Sequence, residues 1–228
     1  MTGLSWQSLR TRLVAGALCA AVASIWIVTL VIDKYLRADM EAAISAQQYS
    51  TVSLIASEIE RSVSERSAIL GKLARRLGDA GDVDGRAAQA LLESQSGLEP
   101  MFNWGVIVLD AEGAAAASVP GRHDREGVHY GDLPFFAQLK QGDAPVLTSP
   151  LRGRRTGAPV FTIAQAIRTP GGRFVGAVLG VTNLHEPNFL DQVGSSKYGR
   201  TGDFMVTDIR SRVYVASSDK RRVMQAGP

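Results

Sequence analysis

Residues 13–32, LVAGALCAAVASIWIVTLVI, are twenty consecutive positions without a formal charge in a chain of 228. A helix of that length spans about 30 Å, the thickness of a bilayer's hydrocarbon core. Arg10 and Arg12 precede the run and Asp33 follows it. The positive-inside bias therefore predicts a cytoplasmic N-terminus (1–12), a single transmembrane helix (13–32) and a bulk that lies outside the inner membrane. A cleaved signal peptide is the competing reading, because Ala21-Val22-Ala23 has the small-residue spacing of a cleavage site. The apolar run nevertheless continues from Ile25 through Ile32, which a cleavage signal does not need. Cys19, the only cysteine, lies inside the run after Leu18, where a lipidation signal would carry a small residue. No disulfide can brace the exported part, so a hydrophobic core must, and its length suffices.

Charge excludes one class of partner. The 25 basic and 22 acidic residues give a net +3, and they are interspersed rather than gathered into a stripe, so nucleic acid is not expected. Arg152, Arg154 and Arg155 are the densest arginine group. No GxSxG, HExxH or GxxxxGK[ST] motif occurs, and neither catalysis nor a cofactor is expected. His123, Asp124, Glu126 and His129 are close in sequence, but their spacing fits no metal site and a polar loop accounts for them.

Residues 33–78 read as one long stalk helix. There is no Pro, the first Gly is Gly71, and Met40, Ile44, Val52, Ile55, Ile59, Val63, Leu70, Leu73 and Leu77 recur at helical spacing. About forty-five residues would reach some 65 Å, longer than a small domain is wide. Part of the stripe then needs cover from outside its own globule, and a parallel twin in a homodimer is the expected source. GDAGDVDG (78–85) ends the helix, and Asp82 or Asp84 is expected to cap a short one through Leu92.

From Trp104 the period changes. GVIVLD (105–110), AAAASV (114–119), PVLTS (145–149), PVFTIAQAI (159–167) and RFVGAVLGVTN (173–183) are strand candidates. Ala111-Glu112-Gly113 and TPGG (169–172) are their tight turns. Pro134 starts a helix through Leu139 that Gly142 ends. Five antiparallel strands with a helical insertion give an α+β, PAS-like module over 79–195, closed by a connecting helix at 185–193. FMVTDIRSRVYVAS (204–217) then echoes VIVLDAEGAAAAS (106–118), and 196–228 is expected to be the start of a second module, of which 200–228 would be poorly ordered by itself. On this reading the chain is a fragment of a larger protein.

The order of these segments carries a family likeness. An anchor and long helix, WGVIVLDAEG, HYGDLPFFAQL, PVLTSPLRGRRTGAPVFTIAQAI and GGRFVGAVLGVTNL together resemble the double Cache (dCache) sensor domains of bacterial receptors. The resemblance implies a membrane-distal module that binds a small molecule, a membrane-proximal module, and a second transmembrane helix leading to a cytoplasmic output. RGRRTGAPVFTIAQAI followed by DKRRVMQAGP is most similar to sensors of GGDEF diguanylate cyclases, with histidine kinases and chemoreceptors as alternatives; an anchored periplasmic binding protein without output is a further one. Family members that recognise amino acids use a tyrosine, an arginine, an aromatic pair and a late aspartate. The pair corresponds to Phe135 and Phe136, but Leu133 stands at the arginine position and Val181 to Asn183 contain no carboxylate. A ligand bearing both carboxylate and ammonium needs both charges opposite it, so that ligand class does not transfer.

The expected ligand-binding residues are Tyr130, Phe135, Phe136, Arg154 and Gln165. The three aromatics would wall a pocket or simply build core. Arg154 would offer a guanidinium fork or cap a solvated turn. Thr162 and Gln165, three residues apart on a strand, face opposite ways, and Gln165 is the odder core residue.

Overall fold

The computed structural model describes residues 9–120, 125, 127–191 and 205–227. It divides into two compact units, Met1–Ala56 and Ser57–Pro228. Helix α1 (Leu9–Asp79) begins in the first. There, Arg12–Lys34 is a stretch long and apolar enough to cross a membrane, and its side chains are exposed. Beyond it Met40, Ile44, Val52 and Leu54 also lie exposed.

In the second unit the same helix is amphipathic and used as such. Leu70, Leu73, Ala74 and Leu77 are buried at three- and four-residue spacing. Helix α2 (Gly85–Glu93) follows, capped by the Asp84 side chain, which accepts from the Arg86 amide. After the short α3 (Leu98–Met101) the chain enters strand β1 (Val106–Leu109), a hairpin with β2 (Ala115–Val119), then α4 (Pro134–Gln141), β3 (Val146–Leu147), β4 (Leu151–Arg152), β5 (Pro159–Arg168) and β6 (Phe174–Asn183). The sheet runs β2-β1-β6-β5-β3, with β4 also on β5, and every pairing is antiparallel.

Strand β1 is apolar throughout because both faces of the sheet are covered. Val106 and Val108 meet α1 and α2 in one core, while Ile107 and Leu109 meet α4 in the other. The first core is tight enough to require a glycine. A Cβ at Gly180 would lie 2.2 Å from the buried Phe102 ring. Asn103 fastens the end of β6, its Oδ1 accepting from the Asn183 amide at 2.8 Å and its Nδ2 donating to the carbonyls of Asn183 and Pro187. Arg66 of α1 reaches the same region, donating to the Met101 carbonyl and stacking 4.0 Å from the Phe189 ring centre.

Two expectations are corrected. The strand expected at 145–149 is shorter, Val146–Leu147, and a further short strand, Leu151–Arg152, pairs with β5 after the gap at Pro150, which has no amide to give the ladder. The connecting helix is absent from residues 185–190, which form bends and a turn. Pro187 and Asn188 explain this, since the Asn188 side chain bonds the Glu186 and Asn183 carbonyls that a helix would use. Residues 192 and 193 lie outside the described ones.

Strands β7 (Met205–Asp208) and β8 (Val213–Ser217) form a separate two-stranded sheet with a small core of Leu184, Leu190, Val215, Ala216 and Val223. The echo in the sequence is an echo in geometry. Asp110 Oδ1 accepts from the amides of Glu112, Gly113 and Ala114, and Asp208 Oδ2 accepts from the amide and hydroxyl of Ser211. Each carboxylate folds the turn that follows its strand. Lys220 then donates to the Leu184 carbonyl at 2.9 Å and pairs with Asp191, holding the residues after β8 against those after β6.

Candidate ligand-binding site

On the α4 side the sheet supplies a floor from three neighbouring strands. Ile107 of β1, Val160 and Thr162 of β5, and Leu179 and Val181 of β6 line a cavity of about 50 Å³, room for a few water molecules. Two loops wall it. The first, before α4, is tied to the hairpin edge: the Tyr130 amide donates to Gly113 at 2.7 Å, and the Ala115 amide donates to Val128 at 2.9 Å. That fixes Tyr130 beside the cavity, and Leu133 and Phe135 follow it along the wall. The second is the turn after β4, closed by Gly153 and Gly157, with Gly157 at φ +66°. It carries Arg154 and Arg155.

Arg154 donates from Nη2 to Asp132 Oδ2 at 2.5 Å and so clasps one loop to the other. The guanidinium bond holds the Asp132 carboxyl below its ordinary pKa. A carboxylate depressed in the folded state contributes above its unfolded pKa, and the contribution is lost as pH falls through the folded value. At neutral pH the Asp132 carboxylate is therefore charged and paired, and acid weakens the clasp. Burial raises the Tyr130 phenol above its ordinary pKa, against the pull of Arg125 and Arg154, so it stays a neutral hydroxyl able to donate.

Of the five expected site residues, Tyr130, Phe135 and Arg154 come together around this cavity. Phe136 and Gln165 do not. Phe136 is 1% exposed and packs edge-on against Phe174, ring centres 5.6 Å apart. It neighbours Phe135 on a helix, so the two rings point about 100° apart and cannot share one wall. Gln165 turns to the opposite side of β5 from Thr162, and its Nε2 donates to the Asp143 carbonyl at 2.9 Å. Thr162 is the strand residue that reaches the cavity. His123, Asp124 and Glu126 lie outside the described residues; among those described, no three His, Cys, Asp or Glu side chains gather as a metal site.

Sequence reasoning missed Arg125. It is 4% exposed, lines the cavity beside Trp104 and Tyr130, and donates from Nη2 to the Trp104 carbonyl at 2.8 Å. Its Nη1 is buried without a hydrogen-bond partner among the described residues. Burial lowers its pKa. The surrounding sequence, His123 to Glu126, is charged throughout, and a loop has no period to mark which of its residues turns inward.

A family model described as Cache domain, of the dCache type, matches residues 36–226. The chain belongs to the Cache domain family. Solved Cache-type structures share the fold. The ligand-binding domain of the Pseudomonas fluorescens chemoreceptor CtaA, in complex with L-serine, is 24% identical with a TM-score of 0.60, over 76% of this chain and 71% of that one. The sensor domain of the V. cholerae histidine kinase DctB is 16% identical with a TM-score of 0.61, over 81% and 70%. An extracellular ligand-binding receptor from Desulfohalobium retbaense is 18% identical with a TM-score of 0.56; 74% of this Cache chain aligns with only 32% of that receptor's length. No curated protein matches the chain. A Cache domain is a sensor rather than a catalytic domain, and this one stands behind a helix suited to a membrane.

Proposed function

We propose that this chain is the periplasmic input region of a transmembrane signalling receptor, most closely of the kind that drives a diguanylate cyclase. Residues 13–32 anchor it in the inner membrane with residues 1–12 in the cytoplasm. Residues 33–78 are a stalk that pairs with a second copy, 79–195 the ligand-binding module and 196–228 the beginning of a membrane-proximal one. The observation that carries the reading is the cavity between the sheet and the two clasped loops, with Tyr130, Phe135 and Arg154 on it. An aromatic and aliphatic chamber with a few convergent polar groups suits a small ligand. At about 50 Å³ the chamber suits a ligand of a handful of heavy atoms, and the two clasped loops are the part of its wall that a ligand can hold in one arrangement. A ligand that prefers one loop arrangement shifts the equilibrium by its differential affinity and no more.

The coding sequence beyond the codon for Pro228 tests the output. Continuation through a second apolar helix into a GGDEF domain is the expected result. A kinase or chemoreceptor domain there would reassign the output and keep the sensor. An immediate stop would overturn transmembrane signalling in favour of an anchored periplasmic binding protein.

A further inference from the structure

The cavity's electrostatics are one-sided. Three arginines, Arg125, Arg154 and Arg155, line it, and no carboxylate does among the described residues. Asp132, a described acid of the first loop, is already held by Arg154. Arg125 is the cation set deepest, with one nitrogen on the Trp104 carbonyl and the other, Nη1, buried and unpartnered among the described residues. A guanidinium in that state is costly to the fold. A ligand anion would supply the acceptor that the protein withholds.

We propose that Arg125 is the anion receptor of this cavity and that its ligand is a compact organic carboxylate without an ammonium group. The proposal rests on the sensor reading above and names the ligand chemistry of the same cavity. Arg125 would hold the carboxylate by a charge-assisted bond, and the Tyr130 hydroxyl, kept neutral by burial, stands beside it as a second donor. The remainder of the ligand meets Ile107, Phe135, Val160 and Leu179, none of which carries a negative charge. An ammonium would be buried beside three arginines with no carboxylate among the described lining residues to pair it. The present volume, a few waters, sets the scale at a handful of heavy atoms. Leu133, standing where amino-acid-binding relatives carry arginine, is thus no bar to anion binding, because the cation arrives from the preceding loop.

Isothermal titration of the full chain in lipid nanodiscs against four probes of similar size tests this: propionate, propylammonium, L-alanine and inorganic phosphate. Saturable binding of propionate in preference to the other three is expected. Arg125→Gln should weaken it by at least about tenfold, and Arg125→Lys should lie between, keeping the charge without the fork. Tighter binding of propylammonium or L-alanine overturns the anion assignment while leaving a sensor cavity in place. Tighter binding of phosphate overturns the organic part. Propionate binding unchanged by Arg125→Gln removes Arg125 from the site. Silence with all four overturns the ligand class, whereas the sensor reading itself is decided separately by the coding sequence. Should Arg125→Gln fail to fold, the order of the four probes on the unaltered chain and the Lys variant still decide.

Discussion

Two adjacent phenylalanines show how far a residue can be read from its letter. Phe135 and Phe136 form one aromatic pair in the sequence, yet one edges the cavity and the other fills the core behind it. Phe136 meets Phe174 edge-on, and the Lys140 ammonium lies 4.9 Å from its ring centre. Phe136→Ala is expected to destabilise the fold by about 3–5 kcal/mol, seen as a lowered midpoint in denaturant, because a cavity replaces a fully packed ring. A loss under about 1 kcal/mol would mean the ring is not core. Tyr130 was legible as a candidate because it is an aromatic residue just before the α4 aromatic pair, and Arg154 because it is a guanidinium in a turn between two strands. Arg125 was not legible, since burial of a loop residue depends on what closes over it and leaves no trace in neighbouring letters. Gln165 misled for the reverse reason: a polar residue in an apolar strand points to a polar partner, and here the partner is a backbone carbonyl.

At the scale of elements, periodicity did most of the work. β1, its hairpin with β2, α4 between Pro134 and Gly142, and the long β5–β6 pair follow from runs, caps and turns that act within a few residues of one another. The short strand after Pro150 was missed and the non-helical stretch at 185–190 misjudged, in each case beside a Pro or Asn that the pattern around it does not reveal. The elements also differ in how firmly they are held. β5 and β6 pair over nine residues with both faces covered, whereas β7 and β8 pair over four on a small core. Amides of β7 and β8 should therefore exchange with deuterium about tenfold faster or more than those of β5 and β6. Equal protection would show that the hairpin is integral to the main fold.

For the whole molecule, the apolar span was the most legible feature, because a bilayer sets a length that a sequence either meets or does not, and Arg12–Lys34 meets it. Partnership is harder, since half of an interface looks like exposed apolar surface. Met40, Ile44 and Val52 remain exposed on α1. With Cys19→Ser as background, Ile44→Cys in native membranes is expected to form a disulfide-linked dimer, and Ala46→Cys, about 200° around the helix, is not. Equal cross-linking at both positions, or at neither, would count against a stalk dimer. The clasp between Arg154 and Asp132 has a consequence at this scale as well. Both side chains are partly open to solvent, and such pairs weaken as counter-ions accumulate within the Debye length, about 8–10 Å in ordinary media. On the periplasmic placement proposed above, the medium around this pair follows the salinity outside the cell, so a loop clasp of this kind would make the response to one dose of ligand differ between fresh and salt water.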